Sequence, residues 1–75
     1  MSPSKANNFL NRALAAFVAA DYHPFDGIED QITGALDAPL PAKLKLLHQL
    51  PAMLARSDYQ ETRNLGMTIS RELNG

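Results

Sequence analysis

Apolar residues recur at intervals of three and four along most of the chain, which is the spacing of one face of an α-helix. This pattern predicts four helices, at about residues 8–20, 26–36, 41–56 and 59–73. No segment of adequate length alternates apolar and polar residues, as a half-buried strand would. We therefore expect an all-α fold in which the four helices form two consecutive helical hairpins or a small orthogonal bundle.

The chain divides into a short leading segment and one helical domain. Residues 1–7 include Ser2, Pro3 and Ser4 and carry no apolar stripe, so a flexible N-terminus is expected there. We expect residues 8–75 to form a single all-helical domain. A domain of this size buries only about 60 % of the surface that its unfolded chain exposes, so its stability margin is small.

The starts of two helices are marked by capping patterns. Asp26 can cap the second helix, and Glu29, three residues further on, can bond back to the amide of the cap. For the fourth helix two capping pairs are open, Ser57 with Gln60 or Asp58 with Glu61. The stripe predicted to be buried in that helix is Tyr59, Thr62, Leu65, Ile69 and Leu73.

Three residues disturb the helical stripes. Pro51 lies inside the third helix, where it lacks an amide donor and clashes with the carbonyl four residues before it, so a kink or a split into two short helices is expected. Gly66 lies in the buried stripe of the fourth helix, where a missing side chain permits close helix contact. Gly34 weakens the second helix by up to ~1 kcal/mol relative to alanine and is expected to let a neighbour approach.

The first helix carries more apolar surface than one buried face needs. Every residue from 13 to 20 is apolar, so the stripe widens to the whole circumference, which is typical of a helix covered on more than one side. Leu46 and Met67 also fall outside the predicted stripes of their helices. Two explanations stay open, namely ordinary core that the stripes misplace and a surface for a partner protein.

Composition narrows the classes of partner. The formal net charge is −1, from 7 Lys and Arg against 8 Asp and Glu, so nucleic acid is not expected as a partner. No apolar run approaches the roughly 20 residues of a membrane span, and residues 13–20 are too few and too rich in alanine for a signal peptide. The chain has no cysteine, which removes thiolate metal sites and suits a reducing compartment. A cytoplasmic protein is therefore expected.

The residues that could carry chemistry are isolated from one another. His23 and His48 have no further histidine or cysteine three or four residues away, which metal sites usually require. Ser57 and Ser70 have no histidine nearby in sequence, and the acidic residues at the start of the second helix are explained by its dipole. We expect no enzymatic activity, no metal and no cofactor.

Residues 44–69 resemble a tetratricopeptide-type helical hairpin. Their hinge at residues 55–62, Ala-Arg-Ser-Asp-Tyr-Gln-Glu-Thr, is similar to the small-Asp-Tyr-x-Glu-Ala hinge of such repeats. The resemblance implies that Tyr59 packs between the two helices and that the acidic residues begin the second one. The departures are Thr62 in place of the usual alanine, Gly66 in place of a large residue, and Pro51 within the first helix.

The order of segments over residues 9–66 is similar to that of the small tetratricopeptide-like chaperones of bacterial type III secretion needle subunits. It passes from a helix rich in Leu and Ala, through the turn Tyr22-His23-Pro24, to an acidic-capped helix, a Leu-rich helix and the hinge. The resemblance implies a concave surface that holds the amphipathic helix of a small helical subunit, together with a small co-chaperone. The groove expected from it lies along helices 1 and 3, at Leu10, Leu14, Phe17, Leu47 and Met53.

Two other functions stay open beside this protein-binding adaptor or chaperone. A small helical DNA-binding regulator would use the polar and basic side chains of helices 3 and 4, which are Lys43, Lys45, Gln60, Arg63, Asn64 and Arg71. Glu61 and Glu72 interrupt that set, and scattered charges of this kind are typical of a solvated helix face. A self-associating structural subunit or homodimer would cover the surplus apolar surface with its own copy.

Overall fold

The computed structural model describes all 75 residues and contains four α-helices and no strand. The helices are α1 (Pro3–Ala19), α2 (Ile28–Leu36), α3 (Leu40–Leu54) and α4 (Gln60–Asn74). The all-α fold predicted from the hydrophobic pattern is confirmed. α1 and α2 form one helical hairpin, and α3 and α4 form the other.

The first helix begins at Pro3 rather than near residue 8, where the apolar stripe placed its start. The hydroxyl of Ser2 accepts a hydrogen bond from the amide of Lys5 at 3.2 Å, and proline as the first helical residue gives up an amide that no helix bond would use. Ala6 is fully buried, and Lys5 Nζ lies 2.7 Å from Glu72 Oε2 at the far end of α4. The Ser-Pro pair is therefore a helix start.

Neither predicted capping pattern forms. α2 begins after Gly27, whose φ of +86° lies in the left-handed region that favours glycine, so Asp26 stands outside the helix and does not cap it. α4 begins after Tyr59 and likewise has no side-chain cap. Ser57 instead accepts a hydrogen bond from the amide of Tyr59 at 3.1 Å, within the turn. Turn geometry thus decides where both helices start.

The third helix runs continuously through Pro51, so it is not split into two. Gly66 of α4 stands directly against this segment, because a Cβ there would lie 3.0 Å from Leu54 Cβ and 3.2 Å from the Pro51 carbonyl oxygen. The close helix contact expected at Gly66 is confirmed. The one expected at Gly34 is wrong, since no atom lies within 4 Å of a Cβ built at that position.

Side chains of all four helices form one core, and α1 contacts each of the other three helices. The largest fully buried side chains are Phe17, Leu10, Ile28, Ile32, Leu47, Leu50, Leu54 and Ile69. Burying a side chain of this size contributes about 1.5–3 kcal/mol. Leu46, which fell outside the predicted stripe of α3, is buried and belongs to the core. Tyr59, predicted to be buried at the start of α4, is 58 % exposed.

Candidate functional site

The five side chains predicted to line a partner groove are divided by the fold. Leu10, Phe17 and Leu47 have no exposed surface, so a partner helix could contact them only if the bundle opened. Leu14 and Met53 are half-buried at the edge of the core. The folded chain therefore offers no open groove made of all five, because the face of α1 that carries the largest apolar side chains packs on its own neighbours.

The exposed face of α1 changes character along the helix. Its first half is polar, at Asn8 and Arg12, and its second half is apolar, at Ala15, Val18 and Ala19. Val18 is 59 % exposed. The apolar circumference of residues 13–20 is thus only partly covered, and small apolar side chains face solvent over its last two turns.

A cleft lies beside these residues, between the C-terminal end of α1 and the N-terminal end of α4. Its volume is about 280 Å³, and its lining residues are Ala16, Ala19, Ala20, Tyr59, Glu61 and Thr62. Ala15 extends its apolar wall around α1, since it lies four residues before Ala19 and neighbours it on the helix surface. We name the apolar part of this region the α1–α4 surface, which consists of Ala15, Ala16, Ala19, Ala20 and Tyr59.

Tyr59 is held at this surface by the turn between α3 and α4. Ser57 is buried; its hydroxyl accepts from the Tyr59 amide, and its carbonyl accepts from Arg63 Nη1 at 2.7 Å. The Tyr59 carbonyl accepts from the Arg63 amide at 3.1 Å. The expectation that Tyr59 packs between the hairpin helices is therefore wrong, and its ring is instead presented to solvent from a fixed backbone.

Acidic side chains border the α1–α4 surface. Glu61 lines the cleft itself, and Asp21 and Asp58 line an adjoining cleft that shares two residues with it. Neither Asp58 nor Glu61 takes part in an ion pair. One base, Arg56, lies in the adjoining cleft, and none lines the cleft between α1 and α4. The last turn of α1 also contains no basic residue to offset the negative end of its dipole.

His23 joins the turn after α1 to the start of α2. Its Nε2 lies 3.1 Å from Asp21 Oδ1, and its Nδ1 lies 2.9 Å from Glu29 Oε1. Glu29 Oε1 is buried and accepts no hydrogen bond, although His23 Nδ1 lies close to it. No group of three or more side chains that could hold a metal ion comes together in the chain. These contacts give His23 a structural role, because they join the turn after α1 to the start of α2.

Two of the four basic side chains that a DNA-binding helix would use are engaged elsewhere. Lys43 is 5 % exposed, and its ammonium donates to Leu36 O at the end of α2 and to Asn7 Oδ1 on α1. Arg63 is bonded to the turn at Ser57 and to Gln60. The set proposed from the sequence therefore does not lie together on one free face.

The residues of the α1–α4 surface were only partly foreseeable. The surplus of apolar residues at 13–20 pointed to the helix that contributes most of this surface, but the expected anchors Leu10 and Phe17 lie on its core-facing side. For Tyr59 the sequence predicted a buried side chain, the opposite of what the structure shows. Nothing in the sequence indicated that Lys43 would cap the end of α2.

Comparison with protein families, with curated proteins and with solved structures finds no match to this chain. No helix combines the length and the apolar character that crossing a membrane requires.

Proposed function

We propose that this chain is a non-enzymatic, cytoplasmic adaptor or chaperone that binds an amphipathic helix of a protein partner at the α1–α4 surface. The observation that carries the proposal is the exposed ring of Tyr59 beside an alanine-lined cleft. Exposed apolar surface with a polar border is typical of protein-binding sites. Tyrosine is also among the residues that contribute most at the centres of such interfaces.

A helix is the form of partner that suits this surface. The side chains of Ala15, Ala16 and Ala19 are short, so the backbone of a second helix can approach α1 closely. Tyr59 offers a rigid ring with a polar end at the edge of the contact. Helix-in-groove recognition uses apolar anchors at helical spacing, and a shallow cleft between two helix ends admits one turn of such anchors.

The proposed function involves no catalysis and no cofactor. The resemblance to needle-subunit chaperones stays a prediction. It agrees with a helix-binding adaptor, but the surface proposed for binding differs from the groove that the resemblance implies. A homodimer through the same surface is the competing outcome that the experiment must separate.

Two exposed residues provide a matched pair of variants. Tyr59→Ser removes the ring and places a good capping residue where φ is −92° and ψ is 129°, an extended conformation that suits an N-cap. Its stability should be unchanged or higher by up to ~1 kcal/mol, which separates binding from folding. Met67→Gln is the control, because Met67 is also 58 % exposed and does not line the cleft.

The test is quantitative affinity capture from the host lysate with the wild type and both variants, together with sedimentation of each chain alone. A protein retained by the wild type and by Met67→Gln but lost from Tyr59→Ser supports the proposal. Equal capture by all three chains, or no capture by any, contradicts it. A wild-type dimer that Tyr59→Ser converts to a monomer also contradicts it and assigns the surface to self-association.

A further inference from the structure

We infer that the partner helix is basic, with Lys or Arg flanking its apolar stripe, an inference that rests on the proposed function. Its basis is the acidic border of the α1–α4 surface. Glu61 lines the cleft, Asp21 and Asp58 line the adjoining cleft, and no base lines the cleft between α1 and α4. The whole chain is close to neutral, so this is a local property and not a consequence of net charge.

Docking a helix would remove water from carboxylates that have no cation beside them. Asp58 and Glu61 form no ion pair within the chain, and the partial positive charge at the start of α4 amounts to only about half a charge for the two of them. Burying an unpaired charge is unfavourable unless the partner supplies an opposite one. An acidic or neutral helix would therefore bind this surface less tightly, because it leaves these carboxylates unpaired, whereas a basic helix would pair them.

Nearby positive groups do not offset the negative charge at the cleft itself. Arg56 lies in the adjoining cleft and also lines a separate one with Tyr22 and Met53, on the α3 side of the turn. His23 contacts Asp21 and Glu29, and it contacts neither Asp58 nor Glu61. The negative end of α1, without a basic residue in its last turn, adds to the acidic character.

The same charges disfavour a second copy of this chain as the occupant. A two-fold symmetric interface places the same patch of each copy against the other. The two sets of Asp58 and Glu61 would then approach one another, and like charges across an interface are unfavourable. A different chain with basic flanks avoids this repulsion.

The experiment uses three synthetic amphipathic helices with one identical Leu/Ala stripe, whose flanking positions are all Lys, all Gln or all Glu. Each is titrated into the ¹⁵N-labelled full chain, and amide shifts give both the binding site and the Kd. The Lys peptide should bind at least about tenfold more tightly than the Glu peptide, with shifts at residues 15–20 and 58–62. Its advantage should shrink as salt is raised, because exposed charge pairs are screened.

Two variants separate the charge from the surface. Asp58→Asn combined with Glu61→Gln should weaken the Lys peptide about three- to tenfold, as expected for two partly exposed ion pairs, and leave the Gln peptide unchanged. Tyr59→Ser should weaken all three peptides.

The outcomes distinguish this inference from the proposed function. Equal affinity of the Lys and Gln peptides at residues 15–20 and 58–62, or tighter binding of the Glu peptide, overturns the basic partner and leaves the helix-binding surface standing. Failure of all three peptides to shift these residues overturns both.

Discussion

Replacing Gly66 by alanine should weaken the α3–α4 contact, whereas replacing Gly34 by alanine should stabilise the chain. Both glycines lie inside helices. An alanine in a helix interior is more favourable than glycine by about 0.8–1 kcal/mol, so the two substitutions share this gain. They differ in the space available to the new methyl group, and that difference sets the opposite signs.

At Gly66 the methyl group would lie 3.0 Å from Leu54 Cβ and 3.2 Å from the Pro51 carbonyl oxygen. Both atoms are fixed to the backbone of α3 and cannot rotate away. Carbon atoms pack best at about 3.5–4.0 Å, so the two helices must separate locally by roughly 0.5–1 Å. Overpacking of this kind costs about 1–3 kcal/mol. After the helix gain is subtracted, Gly66→Ala should destabilise the chain by about 1 kcal/mol.

The assay is thermal and urea unfolding followed by circular dichroism at the helix band. In a domain of this size 1 kcal/mol shifts the midpoint temperature by roughly 4–8 °C. Gly66→Ala should lower the midpoint by about that amount, and Gly34→Ala, with no atom within 4 Å of its new Cβ, should raise it by a similar amount. An increase in Gly66→Ala equal to that in Gly34→Ala would refute the close contact between α3 and α4.

Three further substitutions test how the turns and helix ends are held. Lys43→Met keeps the length of the buried stem but leaves Leu36 O and Asn7 Oδ1 without their donor, so urea unfolding should show a loss of about 1–3 kcal/mol. An unchanged urea midpoint would mean that these contacts do not stabilise the chain. Gly27→Ala should cost about 1–2 kcal/mol, because φ is +86° there. Asp26→Ala, at the residue expected to cap α2, should change stability by less than about 0.5 kcal/mol, and a larger loss would restore the capping role.

The number and type of the helices could be predicted because apolar spacing reports directly on which residues a helix can bury. The helix starts could not, because each depends on the local turn. Ser2 and Pro3 begin α1 before its apolar stripe does, and the left-handed conformation of Gly27 shifts the start of α2 past Asp26. A capping pattern shows that a bond is possible, and the turn decides whether it forms.

The surface proposed for binding was harder to predict for a related reason. Large apolar side chains at helical spacing, such as Leu10 and Phe17, satisfy the core and a partner groove equally well in sequence. The chain's own helices cover them first, which leaves the small side chains of Ala15 and Ala19 exposed. Tyr59 became part of the surface because the turn at Ser57 directs it outward, and apolar spacing alone does not contain the relative orientation of α1 and α4.

The most direct test of the central claim is photocrosslinking in the host from position 59. The photoreactive amino acid p-benzoylphenylalanine replaces Tyr59 in one chain and Met67 in a control chain, and adducts are identified by mass spectrometry after irradiation. The account predicts an adduct with a different polypeptide from position 59 and none from position 67. No adduct from position 59, or an adduct of twice the 8.2 kDa mass of the chain, would contradict it.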